Sequence, residues 1–195
     1  TPEELYNPNG RSLKDAVINL GDFCSGVVVS PEGLFFTNHH CGYGAIQALS
    51  TPEDDILKNG FVAKKREQER PAHGLYVRFL QRVEDCTEQV NAELARLYKE
   101  KAPKMDSAQV EAYYTDSICM ALEDKLDSLN PDMECRVASY YGGNAFYANF
   151  YKVYNDIRLV FTATETLGKF GGDTDNWMWP RQPRDSSMFS TPATP

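Results

Sequence analysis

The sequence predicts a mainly β fold, a β-barrel with α-helices inserted into it, and three observations carry that reading. Strand-like runs occupy both ends of the chain, while a helical period replaces them from about 84 to 129. Turn residues separate neighbouring strands at short intervals, as antiparallel hairpins require. The order is strands, then helices, then strands, which is not the alternation that builds a parallel sheet. With 195 residues, 42% of them hydrophobic, the chain is long enough for one domain with one sizeable core.

The elements follow in order. The opening TPEE is a helix start, and Asn7, Pro8, Asn9 and Gly10 form a turn-rich break. Ser12 to Leu20 leads into a hairpin whose strands are the β-branched run around Val27, Val28 and Val29 and the apolar run Leu34 to Thr37. Pro31, Glu32 and Gly33 supply the turn. Gly42 and Gly44 are expected to turn the chain sharply, with a short helix over Ala45 to Ser50. Thr51 to Pro71 is polar. Its KKREQER run, Lys64 to Arg70, reads either as a basic docking patch or as a solvated face, and Glu67 and Glu69 favour the latter. Leu75 to Leu80 is a strand by alternation, and His73 has no local partner.

Val90, Leu94 and Leu97 mark one helix, and Pro103 falls in the gap after it. Asp106 and Gln109 make a capping box for a second, whose Val110, Tyr114, Ile118, Leu122 and Leu126 recur every four residues. Such an amphipathic pair is expected to lie against the barrel wall. Met133 to Tyr141, the turn Gly142-Gly143-Asn144, and Phe146 to Tyr154 make a second hairpin. Ile157 to Thr162 adds another strand.

Composition excludes several functions. The net charge is −8 and the basic residues are scattered, so nucleic acid is not the partner. No apolar run approaches the roughly 20 residues that span a bilayer. The start at Thr1, without Met or a signal region, leads to the expectation of a trimmed or partial chain.

Chemistry concentrates in two stretches. In the first, Gly21 to Cys41, the hairpin sets Cys24 and Cys41 near the open ends of neighbouring strands, where a disulfide follows. The loop it closes stabilises the fold by about 3 kcal/mol on the chain-entropy model and pins His40 in a small ring. A histidine fixed in that way suits general base work, whereas a histidine near a strand end without such a frame is more often a hydrogen-bonded structural residue. Zinc ligation by His39, His40 and Cys41 is set aside, because consecutive residues cannot easily aim their donors at one ion. If the first two cysteines pair, Cys86, Cys119 and Cys135 allow at most one further bridge, and the first pair favours an oxidising compartment.

The second stretch, Gly168 to Met188, holds GKFGGDTDNWMWPRQPRDSSM. Asp173, Asp175 and Asn176 suggest a calcium loop, but Trp177 takes the next ligand position and the mid-loop glycine and closing glutamate are missing. Trp179 reads equally well as a core plug.

Thr37-Asn38-His39-His40-Cys41, with a cysteine upstream across a hairpin, resembles the catalytic-histidine segment of chymotrypsin-fold serine peptidases. The longer strings TNHHCGYGAIQ and GGDTDNWMWPR resemble the bacterial dipeptidyl-peptidase 7 and 11 family, which cuts dipeptides from free peptide amino termini. The resemblance implies the first barrel of a chymotrypsin-like double β-barrel carrying a helical hairpin. It implies His40 as general base and acid, and Asn176 with Trp177 as holders of the substrate's ammonium. For the orienting carboxylate two positions compete. Asp156 precedes Ile-Arg-Leu, and Asp185 precedes Ser-Ser-Met-Phe where the family has its catalytic aspartate; Asp185 is preferred. Gln182, Pro183 and Arg184 depart from the family's lead into that aspartate, and Ser190 to Pro195 looks unlike family sequence.

No serine here sits in the glycine-flanked turn that a nucleophile needs. The expectation is therefore one partial peptidase domain over 1–195, the amino-terminal part of an exported bacterial serine dipeptidyl-peptidase. Its second barrel, large helical domain and serine would lie outside this chain. Peptides with a free amino terminus are the expected partners, with no metal or organic cofactor. A periplasmic or cell-surface location is expected, and a homodimer is admitted for the full-length protein. The competing readings are a non-catalytic domain that binds peptide amino termini and an inactive truncated remnant.

Overall fold

The computed structural model describes residues 1–7, 10–101, 106–164 and 187–192. They fall into two units, Thr1–Phe79 with Val153–Pro195, and Leu80–Lys152.

The chain opens with α1 (Pro2–Leu5), closed at its start by a capping box between Thr1 and Glu4. After a 3₁₀ turn at Leu13–Ala16 come β1 (Val17–Leu20), β2 (Cys24–Val28) and β3 (Leu34–Thr37). Then follow α2 (His39–Leu49), α3 (Ile56–Asn59) and the short strands β4 (Phe61–Val62) and β5 (Arg70–Pro71). Strand β6 (Val77–Asp85) leads to α4 (Thr87–Lys101) and α5 (Ser107–Leu129). The hairpin β7 (Glu134–Tyr140) and β8 (Ala145–Tyr154) is followed by β9 (Arg158–Thr162) and β10 (Ser187–Ser190).

In the first unit the strands lie in the order β4-β9-β10-β3-β2-β1-β6, each pair antiparallel, and β5 also pairs β9. The last described strand thus sits in the middle, between β3 and β9. The sequence gives little warning of β10, because two of its four residues are serines. Its burial explains it: with strands on both sides, Ser187, Phe189 and Ser190 are all buried. Phe189 joins Ile18, Leu20, Phe35, Ile46 and Leu159 in the unit's core.

The second unit carries a core of its own, so buried residues form two clusters where length predicts one. Helix α5 packs on β7 and α4 packs on α5. Val90, Ile118, Phe146 and Phe150 are buried among three cysteines, Cys86, Cys119 and Cys135. The helices occupy the predicted positions, including the capping box of Asp106 with Gln109. The amphipathic faces are buried on the β7–β8 hairpin, which the period-two alternation of β8 makes possible. No helix among the described residues is long and apolar enough to cross a membrane.

Candidate functional site

The site grows from the β2–β3 hairpin. Its register pairs Gly26 with Thr37, Val27 with Phe36 and Val28 with Phe35, which carries the chain from β3 straight into α2 near the start of β2. Asn38 stands at the helix N-cap with extended backbone, and Cys41 is the third helical residue. Cys41 therefore meets Cys24, with Cα atoms 6.0 Å apart, and the two form the expected disulfide.

The helix begins at His39, earlier than the predicted Ala45, and Gly42 and Gly44 lie inside it. Gly42 is there for space. A Cβ at this position would stand 2.7 Å from Cζ of Phe189, so only glycine lets β10 lie this close to the helix. Glycine in a helix costs roughly 1 kcal/mol, which the packing of Phe189 offsets.

The two histidines part company at the helix start. His40 is exposed, and one of its ring nitrogens lies within 4.8 Å of both disulfide sulfurs. These three residues have the spacing of a metal site but not its chemistry, since both sulfurs are consumed in the disulfide and no thiolate remains. His39 is 1% exposed. Its Nδ1 lies 3.1 Å from Oγ of Ser187 and 3.2 Å from Oγ1 of Thr162. The Thr162 hydroxyl also donates to the carbonyl of Ala163 at 3.3 Å. The His39 ring also meets Tyr43 edge to face, centroids 6.0 Å apart.

Ser187 pairs with Thr162 on one side and with Thr37 on the other, so three buried hydroxyl residues form a row across β9, β10 and β3. Thr37 closes the row by donating to the carbonyl of Ser25 at 2.8 Å. The row is not visible in the sequence. Its only sequence signal is a set of Ser and Thr residues at strand ends, which in isolation reads as solvent-facing.

A second polar group holds the turn before Cys24. Gly21 and Asp22 both have left-handed backbone there, with φ of 60° and 64°. Asp22 forms an ion pair with Arg78, whose side chain is buried, and accepts from the Tyr76 hydroxyl at 2.8 Å. The Arg78 guanidinium lies over the Tyr76 ring, 4.9 Å from its centre.

Of the two competing acids, Asp156 is engaged elsewhere. Arg158 grips it through two hydrogen bonds of 3.0 and 2.8 Å and holds its carboxyl below the usual range. It also lies beyond the wrong end of β9. His39 touches Thr162, and Arg158 is four residues back, about 13 Å at strand rise, with Asp156 further still. Asp185, Asn176 and Trp177 lie outside the described residues, as do Asp173, Asp175 and Trp179.

The three remaining cysteines are free and buried in the second unit. Burial pushes the Cys135 thiol up to about 12 and that of Cys119 up to about 11, and it raises Cys86 as well.

The family model described as Peptidase S46 matches residues 1–191. Dipeptidyl-peptidase 7 of Phocaeicola vulgatus is 40% identical over 191 residues, covering 96% of this chain and 25% of that relative. The Asp/Glu-specific dipeptidyl-peptidase of Porphyromonas gingivalis is 43% identical over 192 residues, covering 95% and 25%. The crystal structure of Porphyromonas endodontalis DPP11 in complex with the dipeptide Arg-Glu superposes with a TM-score of 0.79 at 37% identity, over 98% of this chain and 28% of that one. The chain thus spans 25% of the length of these two curated relatives. The likeness agrees with the expected fold, the first barrel of a chymotrypsin-like peptidase with helices inserted.

Proposed function

We propose, since this chain belongs to the Peptidase S46 family, that it forms the amino-terminal part of a serine exopeptidase that releases dipeptides from the free amino terminus of peptides. The observation that carries the reading is His40: an exposed imidazole at the first turn of a helix that the Cys24–Cys41 disulfide fixes to the adjacent hairpin. In this role His40 takes the proton from a serine hydroxyl supplied by the rest of the protein and returns it to the leaving amine. Asp185 keeps the imidazole in the productive tautomer. Asn176 and Trp177 hold the substrate's ammonium, an amide oxygen accepting from it and an aromatic face packing beside it. The disulfide supports export to the periplasm or cell surface, where such a bond persists.

The test is hydrolysis of peptides by the full-length protein. Dipeptides are released from a free amino terminus and not from an acetylated one, and His40→Ala lowers kcat at least about 10³-fold. Undiminished activity in His40→Ala would remove His40 from the reaction. Binding of free amino termini without any cleavage would establish the non-catalytic reading instead.

A further inference from the structure

His40 is only as well placed as the helix start that carries it; the disulfide ties this start to β2, and the neighbouring His39 ties it to β9 and β10. His39 joins the α2 start to both β9 and β10, through Thr162 and Ser187. All three are buried, so their hydrogen bonds cannot be exchanged for water without a cost. Ser187 is the first residue of β10 and stands two positions after Asp185 in the sequence. The register of β10 is regular against β3, and on the β9 side it shifts between Met188 and Phe189, so the pairing with β9 carries a bulge one residue after Ser187. The Ser187 hydroxyl, engaged by His39, ties the first residue of that strand to the α2 start.

We propose that His39 is a positioning residue: through Ser187 and Thr162 it locks the start of β10 to the helix turn that presents His40, and so fixes the orientation of that turn against β9 and β10. The proposal rests on the peptidase reading of His40. It accounts for two adjacent histidines with opposite exposure, one for the reaction and one for the frame. A frame of this kind acts on the reaction step more than on substrate binding, because misplacing reacting groups by about 1 Å costs up to about 10²-fold in rate.

The experiment uses the full-length protein, with kcat normalised to sites titrated by a serine-directed covalent inhibitor. His39→Leu keeps the bulk and removes the polar atoms. His39→Asn places an amide near the Nδ1 position and serves as the conservative variant. The expected result is a kcat lowered about 10- to 100-fold in His39→Leu, with KM changed by less than about 3-fold. The acid limb of its kcat/KM profile moves to lower pH, because a carboxylate set further from the imidazole stabilises the imidazolium less. His39→Asn recovers most of the rate and the original profile. Ser187→Ala lowers kcat in the same sense, and adding it to His39→Leu brings little further loss, as two residues acting as a unit require.

An unaltered kcat and pH profile in folded His39→Leu overturns the proposal, as does a strictly additive double variant. If His39→Leu fails to fold, the comparison of His39→Asn with Ser187→Ala decides: loss of rate in Ser187→Ala with none recovered by any polar residue at 39 overturns it equally. Activity retained in His40→Ala overturns the peptidase reading first and this one with it, so the two failures are distinguishable.

Discussion

Two glycines of α2 lie in the same helix two residues apart, and their replacement by alanine is expected to change stability in opposite directions. Alanine exceeds glycine in helix propensity by about 0.8–1.0 kcal/mol. At Gly44, where a Cβ meets nothing within 4 Å, that gain is realised, and Gly44→Ala stabilises the chain by about 0.5–1 kcal/mol. At Gly42 the same Cβ stands 2.7 and 2.9 Å from two ring carbons of Phe189. Ordinary carbon contacts need about 3.5–4.0 Å, so the ring would have to retreat by about 1 Å. It has nowhere to go, being fully buried and stacked on the equally buried Phe35 with centroids 5.9 Å apart. Overpacking of this kind costs about 1–3 kcal/mol, which outweighs the propensity gain. Gly42→Ala should therefore destabilise by about 1 kcal/mol, leaving the two variants about 2 kcal/mol apart. Urea unfolding measures the difference as opposite shifts of the midpoint at constant slope. If Gly42→Ala proved as stabilising as Gly44→Ala, the close approach of β10 to this helix would be refuted.

Other expectations follow from the same structure. Replacing Cys24 and Cys41 by serine opens a loop with a sequence separation of 17 and should cost about 3 kcal/mol, and reductant should lower the melting temperature of the parent but not of that variant. The buried thiols should resist a soluble thiol reagent at pH 8 in the folded chain and react only after denaturation, because burial raises their ionisation to about 11 for Cys119 and about 12 for Cys135. The sign for stability is set by the same shift: above about pH 8.5 the unfolded thiols lose protons that the folded ones retain. Stability thus falls as pH rises from there towards 12, and chain variants with serine at these positions should show a flatter alkaline limb in urea unfolding. At Asp22, whose side chain is 54% exposed, Asp22→Asn should cost about 1 kcal/mol through the lost ion pair to Arg78, while Asp22→Ala should cost about 1 kcal/mol more because φ is 64°. Equal losses in the two variants would show that backbone strain plays no part.

The helices and hairpins of this chain were legible because each is written in a contiguous stretch. The four-residue recurrence from Val110 to Leu126, the Asp106 capping box and the turn at Gly142 and Gly143 each act within a few residues, and each element stands where its pattern places it. The Cys24–Cys41 disulfide was legible for the same reason, since a single hairpin brings both cysteines together. The start of α2 was not. Local reasoning sees Gly42 as a breaker, because the benefit of a missing Cβ is collected by Phe189, far away in sequence. Nor was β10 legible, because serine in a strand looks solvent-facing until two flanking strands bury it.

The same distinction separates the two histidines. Their sequence neighbourhood is shared, so no local pattern could say which one faces solvent and which one joins the sheet. What decides is the direction in which the first helical turn leaves β3: it sets successive side chains about 100° apart, so that when one faces the Thr162–Ser187 row its neighbour must turn away. The disulfide at Cys41 then removes the remaining rotational freedom of that turn. An exposed His40 and a buried His39 are therefore one structural fact. Any change that frees the helix start from the hydroxyl row would disturb both, even though only His40 of the pair faces solvent.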